Sequence, residues 1–546
     1  MISLNIGITG HRDLRPQDVE AIESEVRRFF QGLREDFPEL PLQLLTALAE
    51  GADQLAARVA LSMDIPILAV LPRDQVDYEQ DFSSAEAQAE FHGFLEKAQQ
   101  VITLPRARSL PGMPAREASL DRERQYAQLG IFISNHSQVL LALWDGKAGD
   151  ALGGTGQVVS YHLTAVMEGF EDETTAATLL ADNENDLVCH IVCPRNRSNG
   201  DPEPGLEALS VSWFSSRDDG HRWSDIPDEY RTLIGRLQQF ARDWKEHEKE
   251  VDVKGATLLA GAPDIEIPSA ARLTDRLFRL ADGLAIHYQN RVNLSLKSTY
   301  GLAVLMGLVF LIYSESDSSR YLVLVFLALF FTGFVLHMIA ERRDWHRKYL
   351  DYRALAEGLR VQLYWNLAGV VDSTSADFAY DNFLQKQDVD LGWIRHVMRL
   401  VSLQRDRGSD PDPAWVGWVI EQWIGTPNGG YGQLAYYSTK FRQNFSRFRK
   451  TRVMGSLSLW VGIGIAGLLF LMGGQEQEGH RQVLLVMMGV LPLIAGVWDA
   501  YSHKKAEKEL IKQYQFMGRV FSKASDLLEG STDIAFHRMV LKALGE

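Results

Sequence analysis

Cysteine is nearly missing from this chain: Cys189 and Cys193 are the only two among 546 residues. Both fall in the apolar run 187–193, where strand alternation or burial accounts for them better than metal ligation. Neither a disulfide framework nor a metal site is expected, and the scarcity suits a reducing cytoplasm. Positive charge is also short, with 56 Lys and Arg against 71 Asp and Glu and a net charge of −15. Bulk charge of that sign argues against a nucleic-acid partner. The first residues read as a strand, with neither the basic stretch nor the apolar core of a leader, so no cleavable signal peptide is expected and membrane insertion falls to internal segments.

Charge is absent over longer distances in four apolar runs, paired as 300–313 with 321–340 and 453–472 with 483–498. Crossing a hydrocarbon core takes about 20 apolar residues. The runs 321–340 and 453–472 reach that length, with His337 their only ionisable side chain. The first run is long enough if its helix begins near Val292 and Lys297 snorkels to the headgroups, and the fourth if Asp499 sits at the interface; Pro492 should kink it. The two pairs form a repeat: an offset of 162 lays Tyr321 on Val483, and also Tyr352 on Tyr514 and Ala356 on Gly518 in the polar helices that follow. Gly462, Gly464 and Gly467 are suited to close helix packing.

Loop charge sets the expected orientation. The tips 314–320 and 473–481 are acidic, whereas Arg342, Arg343, Arg347 and Lys348 follow the second run, Lys440, Arg442, Arg447, Arg449, Lys450 and Arg452 precede the third, and Lys504, Lys505 and Lys508 follow the fourth. Short basic loops stay inside, so a multi-pass protein of the inner, cytoplasmic membrane is expected, with both termini cytoplasmic.

The front of the chain alternates strand and helix patterns: strands at 4–9, 42–48, 65–71, 139–144 and 186–193, with an extra one at 208–214, and helices at 16–33, 51–63, 91–101, 121–133 and 155–168. That alternation predicts a doubly wound α/β layer with a parallel sheet, whose ligands bind beyond the C-terminal strand ends. A charged helix is expected at 228–251, a linker at 255–268, and a leucine-spaced helix at 270–290 that continues into the first span as a rod. The expected division is 1–250 nucleotide-binding domain, 251–290 linker and pre-membrane helix, 291–365 first hairpin with its trailing helix, 366–450 cytoplasmic helical segment, and 451–546 second hairpin with C-terminal helices.

Three strand ends carry chemistry. Gly7, Thr9, Gly10, His11 and Arg12 follow the first, with glycines that admit backbone amides to an anion and an arginine able to grip phosphate through two nitrogens. Glu50, Gly51 and Asp53 follow the second; Asp53 either holds ribose hydroxyls or simply favours a helix N-terminus. Asp145 ends the strand 139–144, and Gly153, Gly154, Thr155 and Gly156 then open a helix whose amides suit phosphate. Arg106, Arg108, Arg116, Arg122 and Arg124 cluster between the strands 65–71 and 139–144. With Tyr126 four residues after Arg122, they make either a second phosphate grip with an aromatic for the base or, as exposed arginines more often do, a solvated basic face. His11 and His136 taken singly read as structural, and Trp393, Trp415, Trp418 and Trp423 as packed core in preference to a ligand cage or membrane-surface belt.

The segments 7–12, 49–53, 141–146 and 153–156 resemble the SLOG superfamily of Rossmann-like nucleotide-binding domains, which includes the Lonely Guy phosphoribohydrolases; the resemblance covers about the first two hundred residues. The hydrolases follow Pro-Gly-Gly-x-Gly-Thr-x-x-Glu, whereas this chain has Leu152, Gln157 and Ser160 at the proline, threonine and glutamate. Glu168 lies two turns too far along to substitute. The resemblance therefore implies binding of a nucleotide-derived molecule without turnover. The paired spans with the helix 345–360 look like SLATT domains, two-span effector modules of bacterial conflict systems that accompany such sensors, and the second hairpin is a looser copy. What the resemblance implies is an antiphage effector, a homo-oligomer in the bilayer whose sensor gates a pore. A membrane-anchored nucleotide hydrolase is the alternative, disfavoured by the missing glutamate, and a regulated transporter a third, disfavoured by spans without midplane charges.

Overall fold

The computed structural model describes residues 2–106, 118–149, 151–170, 186–218, 220–254, 256–315, 320–370, 391–404, 411–426, 431–472 and 478–545. Arg108, Arg116 and most of both hairpin tips lie outside these residues. The chain divides into two compact units: Met1–Glu248 with Ile267–Thr274 and Val371–Asp410, and Lys249–Glu266 with Asp275–Val370 and Pro411–Glu546.

The first unit is built on seven strands, β1 (Leu4–Gly10), β2 (Leu42–Thr46), β3 (Ile67–Leu71), β4 (Gln100–Thr103), β5 (Val139–Trp144), β6 (Val188–Val192) and β7 (Val211–Phe214), in the order β4-β3-β2-β1-β5-β6-β7. All neighbours pair parallel except β6 with β7. β3 and β5 are buried along their whole length, as strands covered on both faces must be, and this is why they are continuous apolar runs. The helices that matter for the site are α1 (Val19–Asp36), α2 (Ala52–Ser62), the single turn α3 (Gln75–Tyr78), α4 (Ala85–Lys97), α5 (Ala118–Asn135) and α6 (Thr155–Thr164); α7 (Asp228–Lys254) follows the sheet. Phe132 and Ile133 of α5 pack with Leu45, Val70, Leu140 and Val188 in one core cluster. β1 is followed by a neighbour on one side and β5 lies on its other side, so strand order reverses between them and a crevice opens beyond Gly10 and Leu143.

Two sequence expectations are corrected. The helix expected at 91–101 stops at Lys97, and Gln100–Thr103 forms β4 at the sheet edge, where Val101, Ile102 and Thr103 suit the pleat. The helix expected at 155–168 stops at Thr164 because Ala165 adopts the left-handed conformation, leaving Glu168 beyond the helix and exposed.

The second unit is helical: α8 (Ser269–Glu315, in this unit from Asp275), α9 (Arg320–Arg342), α10 (Trp345–Ala368), α11 (Gly432–Met472), α12 (Glu478–Lys504), α13 (Glu507–Glu529) and α14 (Ile534–Gly545). Among the described residues, α8, α9, α11 and α12 are long and apolar enough to cross a membrane, and their apolar stretches are almost wholly unburied. The 162-residue offset extends to single hydrogen bonds. Asp344 and Ala506, 162 apart, both take the left-handed conformation at the start of α10 and α13. Around them the amides of Arg343, Asp344 and Lys348 donate to Ile339, Glu341 and Asp344, and those of Lys505, Ala506 and Leu510 donate to Tyr501, His503 and Ala506. Tyr352 and Tyr514, also matched, each meet a tyrosine of the first helix of their own hairpin, with ring centroids 5.7 Å from Tyr288 of α8 and 6.2 Å from Tyr437 of α11. Of the three glycines expected to allow close packing, Gly462 does meet Pro492, but Gly464 and Gly467 have no neighbour in the space of a Cβ. Gly307 against Leu493 and Gly489 against Leu311 make the close approach instead, between α8 and α12. All four tryptophans singled out from sequence are buried, Trp393 packing on Phe240 and Trp418 and Trp423 meeting Tyr364.

Candidate functional site

β1 delivers Arg12 to the open end of the sheet. The strand terminates where the His11 amide makes its last bond, to Leu143 O (3.1 Å), and the His11 carbonyl accepts from Ala52 at the start of α2 (3.1 Å). Arg12 then reaches α5, donating to Tyr126 Oη at 3.0 Å with its guanidinium 5.4 Å from the centre of that ring. Its other terminal nitrogen donates to the Asp81 carbonyl at 3.3 Å. The Asp81 carboxylate accepts from Arg73 at the end of β3 and from the Tyr126 hydroxyl, and Arg122 Nη1 lies 3.1 Å from its other oxygen. Three guanidiniums thus converge on Asp81, those of Arg73 and Arg122 on its carboxylate and that of Arg12 on its carbonyl. Burial pushes the Tyr126 phenol up, so its hydroxyl stays protonated and able to donate.

The loop before α6 closes onto the same tyrosine. Gly153 has φ +75°, and a Cβ there would lie 2.5 Å from Ala127 N and 2.9 Å from Tyr126 Cβ, so the helix start fits against α5 only without a side chain. Two of the amides expected to be free are used inside the loop: Gly153 N donates to Gln157 Oε1 (3.0 Å) and Gly154 N to Ala151 O (2.9 Å). The amides of Thr155, Gly156 and Gln157 open the helix and have no acceptor within it. Gly156 packs against the backbone of Lys147 and Gly149.

Other sequence candidates serve the framework. Gly7 is in mid-strand, where a Cβ would strike Ser137 Oγ at 2.4 Å, and at Gly10 it would strike Ala52 Cβ at 2.4 Å; both are small because α5 and α2 pack there. Thr9 lies between them on β1, paired with Ala142. Gly51 (φ +89°) abuts the Arg12 carbonyl. Glu50 accepts from the Ser83 amide at 3.0 Å and from its hydroxyl. Asp53 turns inward and accepts from Ala47 N at 3.1 Å, and burial pushes its carboxyl up to about 7. Asp145 is buried beside His11, whose Nε2 accepts from the Asp145 amide at 3.1 Å; burial draws the His11 pKa down, which keeps that nitrogen an acceptor. Asp145 Oδ2 has no hydrogen-bond partner among the described residues, Arg197 being 3.9 Å away.

The arginine cluster expected between the strands 65–71 and 139–144 divides. Arg122 joins the convergence on Asp81, Arg124 is buried over the Phe170 ring, and Arg106 pairs with Asp121 on the surface. Sequence reading missed Arg73 and Asp81. Arg73 had a usable signal, since it follows Pro72 at a strand end as Arg12 follows β1; Asp81 had none. Among the described residues no group of His, Cys, Asp and Glu is arranged to hold a metal ion. Cys189 and Cys193 are buried thiols whose pKa burial raises. Comparisons with protein-family models, curated proteins and solved structures find no match to this chain.

Proposed function

We propose that the α/β unit senses a nucleotide-derived, phosphate-bearing molecule and that its binding opens or disrupts the membrane crossed by α8, α9, α11 and α12, as the likeness to SLOG sensors and SLATT effectors implies. The observation that carries this reading is the convergence of Arg12, Arg73 and Arg122 beside the start of α6, at the C-terminal strand ends, in a chain with four membrane-length apolar helices. Ionised partners make the stronger hydrogen bonds, and planar guanidiniums match phosphate oxygens in pairs. Ser160 in place of a glutamate, and Glu168 beyond the helix, favour binding over hydrolysis. In this reading the protein works as a homo-oligomer in the inner membrane with its termini in the cytoplasm. α8 transmits the signal: its 47 residues are unbroken, and a continuous helix carries a tilt without a joint.

The test uses the full-length protein. Small molecules retained through purification are released by heat, identified by mass spectrometry and added to dye-loaded liposomes carrying the protein. Wild type should release dye; Arg12→Ala and Gly154→Glu should neither bind nor release, and three glycines inserted after Asn290 should preserve binding but abolish release. Dye that stays trapped with ligand bound refutes the gated effector, and release that requires ligand consumption transfers the argument to the hydrolase.

A further inference from the structure

Asp81 is held in an unusual way for a carboxylate in a loop. Its side chain is only 7% exposed, and its two oxygens face Arg73, Arg122 and the Tyr126 hydroxyl, donors from two different elements. Arg12 completes the set by binding the Asp81 carbonyl and the Tyr126 oxygen. The segment that carries Asp81 is also fastened on either side of it, by Tyr78 Oη to Ala47 O (3.2 Å), Gln88 Nε2 to Glu79 O (3.0 Å), Phe82 packed on Phe91 and Ser83 to Glu50, while residues 74–77 next to β3 are exposed. Among the described residues Asp81 supplies the one carboxylate that these guanidiniums bond; it pairs with Arg73 and Arg122, while Arg12 reaches only its carbonyl. A diphosphate or a terminal phosphomonoester, carrying about two charges near neutral pH and more acceptor oxygens, fits the same donors better.

We infer that the Asp81 carboxylate occupies the place of a ligand phosphoryl group, and that a diphosphate or phosphomonoester binds by exchanging with it. This rests on the anion-binding reading above and narrows it. Two consequences follow from the geometry. Monoanionic carboxylates do not displace Asp81, because they offer the arginines nothing it does not already supply within the chain. Phosphoryl binding frees the segment 74–84 from its contact at Asp81, while Tyr78, Glu79, Phe82 and Ser83 keep it attached. The sensor thereby gains a moving part whose position reports occupancy.

Inorganic pyrophosphate is the probe, titrated by calorimetry into full-length protein in detergent micelles. Asp81→Asn keeps the shape and removes the competing charge, so it should bind pyrophosphate roughly ten- to a hundredfold more tightly than wild type, the worth of one charge-assisted hydrogen bond. Arg73→Ala should lose binding, as should Arg12→Ala. In the wild type, pyrophosphate should raise amide hydrogen exchange across residues 74–84, a measurement that needs no variant to fold. If Asp81→Asn binds no more tightly than wild type, or exchange at 74–84 stays flat on binding, while the arginine variants lose affinity, the exchange of anions is wrong and the site stands. If the arginine variants bind as wild type does, or neither wild type nor Asp81→Asn binds, the site reading falls with it.

Discussion

Gly153 is where fold and site meet most tightly, and replacing it by alanine should separate two costs that glycine avoids. A Cβ at positive φ costs about 1–2 kcal/mol in the left-handed region. At Gly153 the same atom also lands 2.5 Å from Ala127 N and 2.6 Å from Tyr126 C, distances no real Cβ keeps, so α6 must back away from α5. Overpacking of that kind adds about 1–3 kcal/mol, for a total of roughly 2–5 kcal/mol. Gly205 is the control: its φ is +97° and nothing lies within 4 Å of an added Cβ, so Gly205→Ala should cost only the backbone part. A chain of two units is a poor two-state unfolder, so the comparison belongs to native-state hydrogen exchange, read at the amides of α5, β5 and α6 in the full-length protein. Gly153→Ala should lower the opening free energy there by about 1–3 kcal/mol more than Gly205→Ala lowers it around its own loop, and should weaken pyrophosphate binding because the added methyl presses on Tyr126 itself. Equal effects of the two substitutions would refute the claim that contact with Tyr126 dictates the glycine.

Acid should weaken the α/β unit through its buried histidines. Asn5 N donates to Gln138 Oε1 (2.9 Å), which points the Gln138 amide nitrogen at His396 Nδ1, while His396 Nε2 donates to Ser3 O (2.8 Å); the ring is therefore neutral, and burial pulls its pKa down to about 3. Below about 6.5 the unfolded chain takes up a proton that the folded ring refuses, so stability falls by about 1.4 kcal/mol per pH unit for this residue, with His162 and His190 acting in the same direction. Read by native-state hydrogen exchange in β1 and β5, the fall in opening free energy between pH 7 and 5 should be shallower in His396→Asn than in wild type, by a difference that approaches about one proton near pH 5, and an unchanged slope refutes the assignment. For topology, single cysteines replacing Ser316 and Gln477 should react with an impermeant thiol reagent on intact cells and one replacing Ser446 should not; labelling at Ser446 before lysis overturns the orientation.

What the sequence revealed follows from how local each signal is. β5 is legible to the residue because both faces are covered and all six positions are apolar. β4 is not: it has four residues at a sheet edge, Val101 is 45% exposed, and it follows α4 closely enough to be absorbed into that helix's periodicity. At the site, Arg12, Arg122 and Tyr126 were visible because strand ends and helix spacing mark them. Asp81 was not, because its importance arises only when the segment after β3 folds back across the strand ends. The glycines show a different limit. Gly7 and Gly153 look alike in a glycine-rich loop, yet one makes room for α5 in mid-strand and the other seats a helix start beside Tyr126.

The helical unit was legible for another reason: duplication leaves a register. That register is kept most closely at the joints, where Asp344 and Ala506 hold a left-handed backbone which costs an alanine about 1–2 kcal/mol and which no glycine relieves. Strain of this kind persists only where surrounding structure over-determines it. Here the surroundings are the matched bonds on either side of each joint and the tyrosine that α10 and α13 each set against the first helix of its hairpin, α8 or α11. Burial, by contrast, has diverged. Tyr352, Leu355, Ala356 and Leu359 of α10 are buried, whereas on α13 Tyr514 and Gly518, the partners of Tyr352 and Ala356, remain partly exposed. A duplicated hairpin that keeps its costly bend while its packing drifts places the constraint on the angle at which the helix leaves the span. Under the proposed function, two such angles, one per hairpin, would let the trailing helices set the tilt of the apolar helices they follow.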